Sequence, residues 1–336
     1  MTTATSPATG PVSRIDPEAA YHRPTAPGPA LLRRYPEVSE LEAALAARLA
    51  VAPERVIVTA GADEAIDRAC RAFLEPDRTV VLPDPCFDMF DRCAALAGGT
   101  LVRVPWRDGP FPLNGFVGGL DARTGVVVVV SPNNPTGAVA TLSQVRRLAA
   151  AAPNALLVLD HVYVEYADED LTPGVIDLPN VLVLRTFSKA WGLAGCRVGY
   201  AVGSPYVIGV LRAAGGPYSV AAPSIALALA QLERGEEALR AHVARIRVER
   251  ALLATRLAAV GLAPQPSQGN FVLVECGARA QEIRKRLADG GVVVRDFPGR
   301  PGLEASLRIT LPGNTADFAR LCDALDAALA AGGPRP

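Results

Sequence analysis

Polar residues stand directly after apolar runs at several points of the sequence, and two of them could carry covalent or proton-transfer chemistry. Lys189 follows the run VLVLRTFS and is a candidate nucleophile, because a lysine amine can form a Schiff base with a carbonyl group. Asp160 ends the run LLVLD, and Tyr163 lies three residues further on. A carboxylate at the end of a buried strand is costly unless it pairs with a cation or a protonated ring nitrogen.

Two further apolar runs end in groups that suit binding. After RVIVT, the segment Ala60-Gly61-Ala62-Asp63 opens a helix, whose unpaired N–H groups and dipole favour an anion such as phosphate. After VVVVV, the turn SPNNPTG at residues 131–137 could aim an asparagine amide into a cleft.

Each of these features has an ordinary interpretation when it is taken alone. Asp63 could simply be an acidic residue in a first helical turn, and SPNNPTG could be only a turn. Asp160 could cap a helix, and Lys189 could be a solvated loop residue. Together they provide an anion site, a partner for a ring nitrogen, a polar hydrogen-bonding group and an imine-forming lysine. Pyridoxal 5'-phosphate is the cofactor that requires all four.

The elements that would position these groups alternate along the chain. The helical pattern SELEAALAARLA begins at Ser39, which we expect to cap the helix with a glutamate behind it. Apolar strands such as RVIVTA and ALLVLD are separated by helices such as DEAIDRACRAFL. This order predicts an α/β fold with a mostly parallel sheet covered on both faces, where ligands gather beyond the carboxyl ends of the strands.

The chain divides into three predicted regions. Residues 1–35 form an N-terminal arm in which Pro, Thr and Ala dominate, and residues 36–205 form the large cofactor-binding domain. In residues 206–336 a long helical pattern precedes the strand-like runs GNFVLVEC, GVVVRDF and SLRITL, which are interleaved with helices. This last region is expected to be a smaller α+β domain.

Composition limits the partners and the compartment. Lys+Arg and Asp+Glu number 34 each, so no charge surplus points to nucleic acid or an anionic membrane. The six cysteines form no CxxC pair and no metal-spaced cluster, which favours reduced thiols, no metal and a cytoplasmic protein. The first thirty residues lack the basic and apolar regions of a signal peptide, and no apolar run approaches a membrane span of about 18 residues.

The sequence resembles the class I/II aminotransferases, which are fold-type I pyridoxal-phosphate enzymes, and it is most similar to the histidinol-phosphate branch. The likeness runs from about Tyr35 to the last helix and rests on eight segments in family order. They are RRYP, VTAGADEAIDRACRAFL, PDPCFDMF, SPNNPTGAV, DHVYVEYA, TFSKAWGLAGCRVGY, GNFVLV and VVVRDFPGRPGLEASLRIT. The resemblance implies a sheet of the seven-stranded type between helices, and a homodimer.

The resemblance also implies roles around the cofactor ring. Lys189 would hold the cofactor covalently and then move the proton of the reaction. Asp160 would pair with the protonated pyridine nitrogen, while Tyr163 and Asn134 would hydrogen-bond the ring's phenolic oxygen. Phe87 would stack on the ring face.

Other family positions would hold the cofactor phosphate. Arg197 would clamp it with a planar guanidinium. Tyr35 resembles the family tyrosine that reaches the phosphate from the other subunit. Thr186, Ser188 and the backbone amides of Ala62 and Asp63 would complete the cup.

Three positions of the last third would bind the substrates, a small-molecule amino donor and a 2-oxo acid. Arg308 would bind the substrate carboxylate with help from Asn270. Arg295 resembles the arginine that the histidinol-phosphate branch uses near the substrate's phosphate, and a second cation suits an enzyme that accepts both histidinol phosphate and 2-oxoglutarate or glutamate.

The sequence departs from the family pattern in two places. His161 stands where the family usually has an acid, and it is expected to be packed or solvent-facing because its neighbours already fill the catalytic roles. Tyr21-His22-Arg23-Pro24 replaces the usual Asn-Glu-Asn-Pro beside the substrate pocket, which leaves the amino donor open.

Several alternatives therefore stay open. An aminotransferase of the same fold could act on aromatic or specialised-pathway amino acids. A phosphothreonine decarboxylase would keep the cofactor site, although TFSKAWGLAG argues against it. A nicotinamide-binding protein is disfavoured because Gly192, Gly195 and Gly199 do not form GxGxxG. A non-catalytic relative would be expected to have lost Lys189 or Asp160.

Overall fold

The structure is a computed structural model that describes residues 29–330. Its helices and strands alternate through most of that range. The α-helices are α1 (Ser39–Leu49), α2 (Gly61–Phe73), α3 (Asp88–Leu96), α4 (Leu113–Gly118), α5 (Leu142–Ala151), α6 (Thr172–Val175), α7 (Pro205–Ala213), α8 (Ala222–Arg234), α9 (Glu236–Ala259), α10 (Ala280–Asp289) and α11 (Thr315–Ala330). The strands are β1 (Val56–Thr59), β2 (Thr79–Asp84), β3 (Thr100–Pro105), β4 (Thr124–Val130), β5 (Leu156–Asp160), β6 (Val181–Thr186), β7 (Gly199–Gly203), β8 (Ala263–Pro264), β9 (Phe271–Glu275), β10 (Arg295–Asp296) and β11 (Ser306–Thr310). Short 3-10 helices cover Pro29–Arg33, Pro53–Arg55, Val164–Tyr166, Ala194–Cys196 and Gly277–Arg279.

A seven-stranded sheet in the order β1-β7-β6-β5-β4-β2-β3 forms the centre of the larger part of the described chain. Strand β7 runs antiparallel to β1 and β6, and the other neighbouring strands are parallel. The runs VVVVV and LLVL are buried along their whole length, as expected for strands covered on both faces. The predicted α/β class and the mostly parallel sheet are confirmed.

Two apolar clusters cover the two faces of this sheet. On one face, Ile66 and Phe90 of helices α2 and α3 pack with Leu211 of α7. On the other face, Phe116 of α4 and Leu148 of α5 pack against the alternate side chains of the strands. These clusters hold the strands rigidly, so the loops after the strands are carried on a fixed frame.

The described chain forms two compact units. The larger unit extends to Val243 and also takes in residues 266–269, and the smaller unit comprises Ala244–Gln265 together with the chain from Asn270 onward. This division differs from the expected boundary after residue 205. The reason is that α7 packs on α2, β1 and β7, and α8 packs on α1, so both helices belong to the larger unit.

The smaller unit contains a four-stranded sheet in the order β10-β11-β9-β8, with antiparallel neighbours. Helices α10 and α11 pack against each other in the same unit. The expected strands GNFVLVEC and SLRITL are present as β9 and β11, whereas only Arg295–Asp296 of GVVVRDF forms a strand.

The expected cap at Ser39 is wrong. Ser39 is the first residue of α1, and the residue at the N-cap position is Val38, whose side chain makes no capping hydrogen bond. Glu42 instead turns inward and accepts hydrogen bonds from the Val58 backbone N–H and the Arg212 guanidinium. A capping box does exist at α5, where Thr141 and Gln144 exchange side-chain and backbone hydrogen bonds.

Candidate active site

Four strand ends bring the residues predicted for chemistry to one edge of the large sheet. Strands β4, β5 and β6 are parallel neighbours, and β1 has the same direction because it pairs antiparallel with β7, as β6 does. Their carboxyl ends carry the segments that begin at Gly61, Ser131, Asp160 and Thr186. The sheet edge therefore unites the groups that the sequence placed in separate motifs.

The start of α2 and the Arg197 guanidinium converge into a cup with positive character. Gly61 has a φ of +75°, and a Cβ built there would lie 2.6 Å from Arg197 Nη2. Arg197 donates to Ser188 Oγ at 3.2 Å and to Asp63 Oδ2 at 3.1 Å. A helix N-terminus and a guanidinium side by side would repel each other, so their convergence favours a bound anion. The half-exposed Asp63 carboxylate partly balances them.

Thr186 and Ser188 shape the other side of this cup. The Thr186 hydroxyl is buried and accepts a hydrogen bond from the Ser188 backbone N–H at 3.1 Å. Thr186 pairs with Gly199 across β6 and β7, so the Ser188 loop leaves the sheet beside the point where the chain after Arg197 enters it. Ala62 is buried in the first turn of α2.

Asp160 is a buried carboxyl group, with an exposed fraction of 2%. Burial raises its pKa to about 7, although the Val162 N–H and the Lys189 ammonium act in the opposite direction. The only hydrogen bond seen for its side chain within the described residues comes from the Val162 N–H at 3.3 Å. Such a carboxyl group is suited to share a proton with a basic ring nitrogen through a hydrogen bond.

Lys189 lies beside Tyr163, with its Nζ 5.2 Å from the centre of the tyrosine ring. Tyr163 is buried, whereas Lys189 is half-buried. The amine, the tyrosine and the Asp160 carboxyl therefore belong to one neighbourhood at the sheet edge.

The turn after β4 holds Asn134 half-buried. The preceding residue, Asn133, fixes the turn, because its Nδ2 donates to the Pro85 carbonyl at 3.1 Å and to the Thr136 hydroxyl at 3.1 Å. The Pro85 segment leads into Phe87, which is half-buried and packs on the apolar cluster of α2 and α3. Asn133 thus builds the turn, and Asn134 lies half-buried at its rim.

Tyr35 is exposed, with 79% of its surface accessible, and it stacks on Tyr218 with ring centres 4.5 Å apart. This stack turns the ring toward the loop before α8. Tyr218 carries no signal in the sequence, since a lone tyrosine in a loop does not reveal its ring partner.

The three positions predicted for substrate binding lie in the smaller unit. Arg295 and Arg308 face each other at the same register of β10 and β11. The Arg308 guanidinium carbon lies 5.2 Å from the centre of the Phe271 ring, and the Asn270 carbonyl accepts a hydrogen bond from the Leu311 N–H at 2.9 Å. Two guanidinium groups on one face of a strand pair suit a ligand with acidic groups.

The two departures from the family pattern have different outcomes. His161 is packed, with 1% of its surface exposed, and it bonds the Ser131 carbonyl and the Leu171 N–H. The segment Tyr21-His22-Arg23-Pro24 lies outside the described residues. Among residues 29–330 no helix is long and apolar enough to cross a membrane, and no cluster of potential metal ligands is found.

Fold and site together define a fold-type I pyridoxal-phosphate enzyme, with a lysine and a buried aspartate beyond the sheet and an anion cup at the first helix after β1. The family model "Aminotransferase class I and II" matches residues 30–325, and the chain belongs to this family. The predicted family, fold class, enzyme class and cofactor are confirmed.

Within this family, the chain is similar to aminotransferases of two named activities. A histidinol-phosphate aminotransferase of Xanthomonas euvesicatoria pv. vesicatoria (strain 85-10) is 38% identical over 307 residues, 88% of this chain and 84% of that protein. An aromatic amino acid aminotransferase of Mycobacteroides abscessus is 35% identical over 283 residues, 82% of this chain and 81% of that protein. The crystal structure of histidinol-phosphate aminotransferase from Sinorhizobium meliloti with pyridoxal-5'-phosphate superposes with a TM-score of 0.82 at 30% identity, covering 91% of this chain and 88% of that one.

Proposed function

We propose that the protein is a histidinol-phosphate:2-oxoglutarate aminotransferase that serves histidine biosynthesis in the cytoplasm. The observation that carries the proposal is the pair Arg295 and Arg308 at one register of β10 and β11. Directly opposite residues of an antiparallel pair have Cβ atoms about 5 Å apart, so one ligand with acidic groups can reach both arginines. A phosphate and a carboxylate, carried by the two substrates in turn, match such a pair.

The residues at the large sheet fit pyridoxal phosphate. Gly61 lets the Arg197 guanidinium approach the start of α2, where the N–H groups of Ala62 and Asp63 lie, because a Cβ at position 61 would be 2.6 Å from Arg197 Nη2. These groups, with Thr186 and Ser188, would bind the phosphate. When bound, the cofactor supplies an aldehyde that reacts with amines and a ring that withdraws electrons.

Each remaining group has a task that its surroundings support. The buried Asp160 carboxylate would hold a proton at the pyridine nitrogen, where no water competes for it. Tyr163 and Asn134 would fix the ring by hydrogen bonds to its phenolic oxygen, and Phe87 would cover one ring face. Lys189 Nζ would attach the cofactor and later carry a proton between the substrate carbon and the cofactor.

Exposure of Tyr35 supports a homodimer as part of the proposal. The ring is 79% accessible although it is large and apolar, and it lies with Tyr218, Leu31 and Leu32 among the exposed apolar side chains. We infer that the partner subunit covers these residues and that Tyr35 binds the phosphate in the partner's site.

A second candidate function is an aromatic amino-acid aminotransferase. The observation in its favour is the 35% identity to a protein of that name over 82% of this chain. In that case Arg308 alone would bind a charged group of the amino donor, and Arg295 would have no ligand of its own. Phosphothreonine decarboxylation is supported only at the level of the fold, by a structure with 24% identity.

A half-reaction panel tests the proposal. The purified holoenzyme is mixed with histidinol phosphate, phenylalanine, tyrosine, glutamate or phosphothreonine, and the cofactor absorbance is followed. We expect histidinol phosphate and glutamate to change the spectrum fastest. Arg308→Ala should slow the half-reaction with glutamate, the carboxylate donor, by roughly 10-fold or more. Arg295→Ala should slow the half-reaction with histidinol phosphate by roughly 10-fold or more, and that with glutamate by less. A response to glutamate and phenylalanine without histidinol phosphate would favour the second candidate.

A further inference from the structure

His161 lies directly after Asp160, the last residue of β5. The ring is 1% exposed, and both nitrogens have backbone partners. Nδ1 is bonded to the Ser131 carbonyl, which can only accept, and Nε2 accepts from the Leu171 N–H at 3.2 Å. The partners therefore fix one neutral tautomer, with the proton on Nδ1.

The two backbone groups belong to the segments that carry Asn134 and Tyr163. Ser131 opens the turn after β4, and its own N–H donates to the Asp160 carbonyl at 3.0 Å. Leu171 ends the segment that leaves β5 at Asp160 and contains Tyr163. The imidazole thus joins two loops beyond the point where the pairing of β4 with β5 ends.

Burial and the charge of Arg185 keep the bridge in its neutral form. Arg185 of β6 is buried and donates to Asp170 at 3.0 Å and to Glu165 at 3.1 Å. Asp170 Oδ1 lies 3.7 Å from His161 Nε2. Burial and the Arg185 charge lower the pKa of His161 to about 4, against the opposing effect of Asp170. A proton on Nε2 would face the Leu171 N–H and break the bridge.

We propose that His161 is a positioning residue: its neutral imidazole holds the Ser131 turn and the Tyr163 segment at the separation at which Asn134 and Tyr163 both reach the phenolic oxygen of the cofactor. This inference rests on the proposed cofactor roles of those two residues. It goes beyond them by assigning a task to a residue that stands where the family usually has an acid.

The test compares His161→Leu, which has a similar volume but no polar atom, with His161→Gln, whose amide can supply one donor and one acceptor. In each holoenzyme the cofactor absorbance is titrated with pH. Hydrogen bonds to the phenolic oxygen stabilise its ionised form, so their loss should raise the midpoint. We expect a rise of about one pH unit for His161→Leu, a shift in the same direction for the reference Tyr163→Phe, and recovery toward the wild-type midpoint for His161→Gln.

Thermal unfolding of the same proteins separates positioning from stability. If His161→Leu lowers the unfolding temperature but keeps the wild-type absorbance midpoint, the residue is only structural and the inference fails. His161→Met, with its flexible apolar side chain, replaces His161→Leu if that variant does not fold. A wild-type protein without a cofactor absorbance band would instead overturn the proposed function, whatever the His161 variants do.

Discussion

The Asp160 carboxyl has an ordinary aspartate pKa of 3.8 in the unfolded chain and a pKa of about 7 when it is buried in the fold. Its contribution to stability is therefore fully present below pH 3.8 and is lost as the pH rises to about 7. The loss is on the order of 4 kcal/mol. A cofactor nitrogen that shares a proton with this carboxylate would offset the loss, so the site is costly without its ligand.

Asp160→Asn should accordingly stabilise the cofactor-free protein while it impairs the holoenzyme. We expect the free energy of unfolding at pH 8 to rise by up to about 4 kcal/mol, and transamination to fall on the order of 100-fold or more. Urea unfolding at pH 8 and at lower pH measures the first effect, which should shrink as the pH falls. Exposed Asp108→Asn is the control, and an equal gain there would refute the explanation.

Gly61 offers a second test at the level of a single residue. Its φ of +75° and the 2.6 Å that would separate an added Cβ from Arg197 Nη2 both oppose any side chain. Gly61→Ala should weaken pyridoxal-phosphate binding by about 10-fold or more, which equilibrium titration of absorbance would measure. Gly209→Ala is the control, because its added methyl group would meet no described atom within 4 Å other than its chain neighbours and the backbone of its own helix. If Gly61→Ala bound pyridoxal phosphate with unchanged affinity, Gly61 would have no role in phosphate binding.

The helix caps show how an element can form without its most obvious sequence signal. Thr141 and Gln144 cap α5 reciprocally, whereas Ser39 makes no cap at α1 although it has a glutamate three residues later. Thr141→Ala should lower the free energy of unfolding by about 1 kcal/mol, and Ser39→Ala should change it by much less. Chemical denaturation of the two variants decides the matter, and similar losses in both would mean that Ser39 caps its helix in solution.

The reason for the difference is tertiary packing. Glu42, the residue that would complete the Ser39 box, is buried and is engaged by the Val58 N–H and Arg212. Sequence periodicity predicted helices such as α1 and α2 and parallel strands such as β5 because apolar spacing reflects burial. It did not reveal β7, which is short and glycine-bounded, or the small extent of β10. Pairing with neighbouring strands, rather than local sequence, creates those elements.

The candidate site, like the fold, could be predicted only in part from the sequence. The sequence predicts Lys189, Asp160 and the start of α2 as site positions because each follows an apolar strand. A parallel sheet brings the carboxyl ends of its strands to one edge. The roles of Gly61 and Asn133 are visible only in the structure. Gly61 lies against Arg197, and Asn133 donates to Pro85 and Thr136. The tie from His161 to the Leu171 N–H joins groups ten positions apart and has no sequence signature.

At the scale of the whole molecule, the proposed dimer would determine whether a site is complete. Tyr35 is exposed and stacks on Tyr218, which leaves most of its ring open to a partner subunit. If Tyr35 serves the partner's phosphate, a subunit that lacks Lys189 can still donate its Tyr35 to a neighbour. Two separately impaired subunits should then combine into a dimer with one intact site.

Mixed dimers of Tyr35→Ala and Lys189→Ala subunits test this directly. After random exchange about half of the dimers are mixed, and each holds one complete site, so activity should approach about one quarter of the wild-type value. Neither parent dimer should reach that level, since one lacks the amine and the other lacks both tyrosines. Tyr35→Ala mixed with wild-type subunits gives the exchange control. If the double mixture regains no activity although exchange is complete, Tyr35 acts within its own chain, and the shared-site arrangement is excluded.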